Sequence, residues 1–323
     1  MAKCSGTTSA AKPDCVRVYS HPACFDHAPG AGHAERPERL KAVTEALSNA
    51  FPTLDWHEAP RASRGQLLRV HEDALLALVL DTPAPPAGES IVLDPDTRLS
   101  SGSAEAALRA AGAGIAAVDA VMRGDAALAF CAVRPPGHHA TGNVAMGFCL
   151  FNNIAVAAAH ACDKHGLSRV AVVDFDVHHG NGTQAIFETD PRVLYVSSHQ
   201  HPLYPDSGQA NERGVGNIIN APLPPGTDGP AFRRVWTDQL LPALYAFRPQ
   251  LVLISAGFDA HRLDPLAQLA LEADDYRWLT AKLVALAARH AQGRVVSMLE
   301  GGYDLTALRE CSVAHVAALR DPG

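Results

Sequence analysis

The chain has 323 residues, with 27 basic and 34 acidic side chains, a net charge of −7 and 47% hydrophobic residues. It has no Lys/Arg-rich run and so lacks the basic face that phosphate binding needs; this argues against nucleic acid as the main partner and leaves cationic substrates open. No apolar stretch approaches the ~18 residues of a membrane span, no N-terminal run qualifies as a signal peptide, and the cysteines show no paired spacing, which points to reduced thiols in a cytoplasmic setting.

Apolar runs predict strands near residues 16–19, 128–133, 170–173, 193–196, 251–254 and 295–298. Helical periodicity predicts helices near 37–50, 65–80, 104–122, 154–164, 231–247, 274–290 and 306–319. Strand and helix alternate, so the expected fold class is α/β, a wound parallel sheet with right-handed crossovers and helices on both faces. No linker separates the polar motifs that run from Arg134 to Tyr303, so a single domain over 14–320 is expected, with 1–13 and 321–323 loose at its ends. The Pro-rich stretch 81–88 reads as a loop within that domain. His160, His165 and His290 fall in helical patterns and are assigned to the surface. The helical faces single out no dimer interface, so a homo-oligomer is left open.

Four segments carry chemistry, each where an apolar strand runs into polar residues, the edge at which open α/β sheets bind ligands. After 128–133 comes Arg134-Pro135-Pro136-Gly137-His138-His139, two imidazoles able to serve as acid and base on a strand that can lie beside the next. After 170–173 comes Asp174-Phe175-Asp176-Val177-His178-His179-Gly180, where alternation places Asp174, Asp176 and His178 on one face. After 251–254 comes Ser255-Ala256-Gly257-Phe258-Asp259, then Asp264. Asp176, His178 and Asp259 supply the three protein ligands typical of a catalytic zinc; two carboxylates and one imidazole also suit ferrous iron or manganese. After 295–298 comes Leu299-Glu300-Gly301-Gly302-Tyr303, where the glycine pair permits close approach and Tyr303 offers a hydroxyl at the crevice.

These blocks, together with Gly147-Phe148-Cys149-Leu150-Phe151-Asn152-Asn153, resemble the zinc-dependent histone deacetylase and acetylpolyamine amidohydrolase family, in its order and closest to its class II and bacterial members. The resemblance implies the arginase/deacetylase fold, a parallel sheet of about eight strands of which six are found above. It implies zinc on Asp176, His178 and Asp259, tandem histidines His138 and His139 facing Asp174 and Asn181, and Tyr303 donating to the substrate carbonyl. It also implies potassium held by Asp174, Ser197 and Ser198 with the backbone of Asp176 and His178, and a second potassium on backbone oxygens of Phe187, Asp190, Val193 and Asn217. Gly147, Phe148 and Tyr204 match the walls of a narrow channel and Leu266 its rim.

The implied activity is zinc-dependent hydrolysis of the amide of an acylated lysine, in a protein or peptide. The alternative is a small acetylated polyamine, for which Leu266 offers no charge but Asp94, Asp96 or the Glu35–Glu38 segment could reach the mouth. A dinuclear-manganese ureohydrolase of the same fold needs extra carboxylates where this chain has Gly180 and Gly257. A non-catalytic acyl-lysine binder is expected to lack a ligand, His139 or Tyr303, all of which are present.

Overall fold

The computed structural model describes residues 16–321; residues 1–13 and 322–323 at the expected loose ends, and 14–15 at the expected domain start, lie outside the described residues. In chain order the strands are β1 (Val16–Ser20), β2 (Asp55–Glu58), β3 (Ile91–Val92), β4 (Arg98–Leu99), β5 (Leu128–Cys131), β6 (Val170–Asp174), β7 (Val193–Gln200), β8 (Ile218–Leu223), β9 (Leu251–Ala256) and β10 (Val295–Leu299). Eight form one parallel sheet in the order β2-β1-β5-β10-β9-β6-β7-β8, while β3 and β4 pair as a separate antiparallel ribbon. The central strands β5, β6, β9 and β10 are buried along their whole length, as continuous apolar runs covered on both faces must be. Register sets Asp174 beside Ser197 on one side and Ser255 on the other, so the polar ends of neighbouring strands come level at one edge.

Four strands escape the sequence reading: the two-residue β3 and β4 of the separate ribbon, and β2 and β8, the two edges of the eight-stranded sheet. In β2, Asp-Trp-His-Glu alternates half-buried and exposed residues with few apolar ones. In β8, Pro222 lacks the N–H of a central strand but is tolerated at an edge. The expected strand 193–196 extends to Gln200 because Ser197, Ser198, His199 and Gln200, polar by sequence, are all buried.

Two predicted helices are broken. The pattern over 65–80 splits into Arg64–Leu67 and Asp73–Leu76, then a wide-turned stretch Ala77–Asp81. The break lets His71 reach inward: its Nδ1 lies 2.9 Å from the Thr141 carbonyl and its Nε2 accepts from Asn152 N at 2.9 Å. The pattern over 231–247 becomes Gly229–Val235 and Leu241–Phe247, joined by a wide turn at Trp236–Leu240 ahead of Pro242, whose ring cannot sit in a regular helix interior without losing a hydrogen bond.

β5 does not lie beside β6, as the tandem-histidine argument expected; β10 and β9 stand between them. The 134–139 loop spans the gap, held by Glu300 at the end of β10, whose Oε2 accepts from Gly137 N at 2.6 Å and His138 N at 3.2 Å. The same loop is anchored beneath by a fully buried ionic cluster: Arg134 grips both oxygens of Glu35 and donates to the carbonyls of Cys24 at 2.7 Å and His27 at 2.9 Å, and Arg39 Nη1 meets Glu35 Oε1 at 3.0 Å. Burial alone pushes Glu35 up, but Arg134 and His27 hold it well below the usual carboxylate range. Glu35 is therefore not free to meet a substrate cation at the surface.

Removing Glu35 strands two buried guanidinium groups, a loss of roughly 3–5 kcal/mol. Glu35→Ala should lower the unfolding free energy obtained from urea denaturation by that amount, whereas Glu38→Ala, at an exposed position on the same segment, should leave it nearly unchanged.

Candidate active site

The carboxyl ends of β5, β6, β9 and β10 bring together the predicted residues of all four segments. Asp176, His178 and Asp259 meet with His178 Nδ1 3.2 Å from Asp176 Oδ1 and 3.1 Å from Asp259 Oδ2. Backbone N–H groups aim both carboxylates: Gly301 N donates to Asp176 Oδ2 at 2.8 Å, His178 N to Asp176 Oδ1 at 2.9 Å, and Val177 N to Asp259 Oδ1 at 2.8 Å. Asp176 and Asp259 are completely buried. Burial pushes His178 down, yet the two carboxylates more than reverse this and raise it to about 10. The two carboxylates thus draw a positive charge to the point they share. A divalent cation answers the same demand, and the donor set fits one.

Glycines make the cluster sterically feasible. A Cβ on Gly257 would lie 2.0 Å from Asp176 Oδ2, one on Gly301 2.1 Å from Asp259 Oδ2, and one on Gly180 2.3 Å from Asp174 Oδ2. The extra carboxylates of a dinuclear site have neither residue nor room at Gly180 and Gly257.

The tandem histidines differ in charge. His138 Nδ1 lies 3.0 Å from Asp174 Oδ2; burial lowers it, but Asp176 and Asp174 raise it to about 10, so it carries a proton. Burial drives His139 well below the ordinary histidine value, and the cationic His138 and His178 deepen the effect. Its Nδ1 lies 2.8 Å from Asn181 Oδ1, which only accepts; the His139 proton therefore sits on Nδ1 and Nε2 keeps a lone pair. His139 is neutral and basic beside the candidate metal site, its ring 5.9 Å from that of His178.

A cavity of about 240 Å³ opens onto this group, lined by His139, His178, Gly147, Phe148, Leu203, Tyr204, Leu266, Tyr303 and Asp96. The Phe148 ring stands edge-on to Tyr303 at 5.7 Å, and the Tyr204 ring edge-on to His139 at 5.2 Å. Tyr204 is 40% exposed, which marks it as channel wall and not core. Gly147 and Phe148 both adopt left-handed backbone, with φ of 56° and 68°, and a Cβ on Gly147 would come 2.5 Å from the His139 ring. Burial raises Tyr303 well above the ordinary phenol value despite the opposing Arg39 guanidinium, 4.7 Å from its ring centre, so the hydroxyl stays protonated and able to donate.

The two expected potassium sets differ in their donors. Near Asp174, His199 Nε2 lies 3.0 Å from the Gly208 carbonyl and so carries the proton; its Nδ1 then accepts from Ser197 Oγ at 2.9 Å, leaving the Ser197 oxygen's lone pairs for a cation. At the second set, the carbonyls of Phe187, Asp190 and Val193 converge on Asn217 Nδ2 at 2.7, 3.0 and 2.8 Å. Asn217 Oδ1 accepts from Val215 N at 3.2 Å, which fixes the amide in this orientation. The amide nitrogen stands in the cup, yet its two hydrogens cannot serve all three carbonyls at once.

Sequence reading missed several supports: Glu300, Arg39, Arg134, Tyr195, whose hydroxyl donates to Asp174 Oδ2 at 3.1 Å, and Asp264, whose Oδ2 accepts from Tyr303 N at 2.7 Å. For Glu300 and Arg134 the available signal was a charged side chain just after a buried strand, which must find a partner; Arg39, Tyr195 and Asp264 carried no such signal. His160 is also corrected: it is buried, not on the surface, with Nδ1 accepting from Arg69 at 2.8 Å and Nε2 2.8 Å from Asp119 Oδ1, which His165 Nε2 approaches at 2.7 Å. The Arg69 contact commits His160 Nε2 to a proton, so these three groups form a hydrogen-bonded cluster and not a metal site.

Residues 33–319 match the histone deacetylase domain family. The chain belongs to the histone deacetylase family. It is 43% identical over 307 residues to a histone deacetylase-like amidohydrolase of Pseudomonas aeruginosa, covering 90% of this chain and 80% of that protein. A probable deacetylase of Archaeoglobus fulgidus is 38% identical over 311 residues, covering 94% and 85%. The crystal structure of the HDA15 HD domain superposes with a TM-score of 0.89 at 35% identity, covering 96% of this chain and 89% of that one. The eight-stranded parallel sheet is therefore the arginase/deacetylase fold, and family membership supports an amide-hydrolysing deacetylase with a candidate metal site at Asp176, His178 and Asp259.

If glycine at 257 is what lets Asp176 reach the shared point, Gly257→Ala should cut tightly bound divalent metal about as severely as Asp259→Ala does. Elemental analysis of dialysed protein checks this, with circular dichroism to show that each variant is folded.

Proposed function

We propose that this protein removes acetyl or other acyl groups from acylated lysine side chains, with zinc at Asp176, His178 and Asp259. The observation that carries the reading is the pairing of a narrow, largely apolar channel with a neutral base, a protonated phenol and a metal-fitting triad at its closed end. An alkyl chain fills such a channel, and Phe148 and Tyr204 exclude water along it. Zinc, when bound, supplies Lewis-acid polarisation of the carbonyl and acidifies a water. His139 Nε2 takes the water's proton, and an imidazolium can return one to the departing amine. Tyr303 donates to the carbonyl oxygen as negative charge develops there. His138, held charged by Asp174, keeps His139 neutral through their ring contact at 4.0 Å.

We infer a structural potassium at Asp174, Ser197 and Ser198 with the backbone of Asp176 and His178, and a second at the converging carbonyls of Phe187, Asp190 and Val193 beside Asn217. A cytoplasmic setting agrees with Cys24, Cys131, Cys149, Cys162 and Cys311, all buried free thiols. Among the described residues no helix is long and apolar enough to cross a membrane.

A second reading, hydrolysis of acetylated polyamines, has one observation in its favour: the exposed Asp96 lines the same cavity as Leu266. Asp94 does not join it, because its Oδ1 accepts from both Asp96 N at 2.8 Å and Thr97 N at 2.5 Å within its own turn. A lone solvated carboxylate contributes little to ammonium binding, on the order of 1 kcal/mol or less, whereas Leu266 and Leu203 favour a neutral carrier.

Comparison of kcat/KM decides between them. An acetyl-lysine peptide should exceed acetylputrescine and acetylspermidine by about tenfold or more, and a preference for the polyamines would overturn the acyl-lysine assignment.

A further inference from the structure

We propose that Asp264 is a positioning residue which fixes both Tyr303 and the channel rim at Leu266 through a single carboxylate. The inference rests on the acyl-lysine hydrolysis described above, and extends it to how the carbonyl donor is kept in place.

Tyr303 stands at the end of Gly301-Gly302, and Gly302 has φ of 117°, a conformation in which only glycine is at ease. Such a lead-in leaves the tyrosine backbone intrinsically free to swing. Two clamps remove that freedom. From one side, Arg39 donates to the carbonyl of Gly302 at 2.6 Å and to that of Glu300 at 2.5 Å. From the other, Asp264 Oδ2 accepts from Tyr303 N at 2.7 Å and Asp304 N at 3.4 Å. The remaining oxygen, Oδ1, accepts from Leu266 N at 3.0 Å.

The placement follows from chain geometry. After Asp259 the chain turns tightly, with His261 N donating to Phe258 O and Asp264 N donating to His261 O at 2.8 Å, which carries the Asp264 side chain back under Tyr303. One segment thus delivers a ligand of the candidate metal site, the clamp and the rim. Asp264 is buried and does not line the channel, so it has no direct contact to offer a substrate. Tyr303 and Leu266 both line that channel, and they are tied to the same carboxylate. A carboxylate suits the task because both oxygens accept; an amide can satisfy one side only and turns an N–H against the other.

The test is a double-mutant cycle. Tyr303→Phe alone should lower kcat by about 10²–10³. Asp264→Ala should lower kcat by about tenfold or more in the wild-type background and by less than about twofold when Tyr303 is already Phe. Hydroxamate affinity and metal content should stay within about threefold of wild type, which separates positioning from loss of the metal site. Equal losses in both backgrounds, or no loss in either, would overturn the proposal. Should Asp264→Ala fail to fold, the isosteric Asp264→Asn serves in its place. A readout independent of turnover is the ¹⁹F resonance of fluorotyrosine placed at position 303: single and sharp in the parent, broadened or doubled with Asp264→Asn. An unchanged line contradicts the positioning role. A parent enzyme inactive on every acyl amide contradicts the functional assignment instead, and leaves the resonance to judge Asp264.

Discussion

Three carboxylates, Asp174, Asp176 and Asp259, are buried side by side at the carboxyl edge of one sheet, and the rest of the site is organised around making that tolerable. An isolated buried carboxylate costs several kcal/mol, and three together repel one another. Burial and the charge of Asp176 push Asp174 and Asp259 up, while Asp176, touched by His138, His178 and two backbone N–H groups, is driven down. The unequal sharing leaves a concentrated negative site whose natural complement is a cation. The raised histidines His138 and His178 express the same demand in protons.

That charge density constrains everything nearby. Glycines at 180, 257 and 301 are required because carboxylate oxygens occupy the space of their side chains. His139, the candidate base, is neutral because burial and its charged histidine neighbours make it so. Glu300 ties the histidine loop to the strands that carry the candidate metal site, and behind it Glu35 binds Arg39 and Arg134 into a rigid floor. The channel above is comparatively plain: aromatic and aliphatic walls with one exposed acid.

Much of this is legible in the sequence because the central strands are continuous apolar runs that end abruptly in Asp, His or Gly. The period-two spacing of Asp176 and His178 places them at one point, and the structure does so. The unread parts share a physical cause. β2 and β8 are edges, where polar residues and Pro222 are permitted and the apolar signal fades. The helix pattern at 65–80 was overridden by His71, whose two ring nitrogens satisfy distant backbone groups that no local rule could reveal. Glu35, Arg39 and Asp264 act across more than thirty residues of chain, so their partners emerge only once the strands are laid in order. The second potassium set has no side-chain signal for a similar reason: backbone carbonyls define the cup, and the Asn217 amide that meets them is placed only by the fold.

The central claim is that one divalent cation at Asp176, His178 and Asp259 completes an amide-hydrolysing site. Its most direct test is a titration of metal-free protein with zinc, following deacylation of an acetyl-lysine peptide and hydroxamate binding in parallel. Both signals should rise together and break at one equivalent per chain. Full turnover before any metal is added, or a break at two equivalents, would contradict the account.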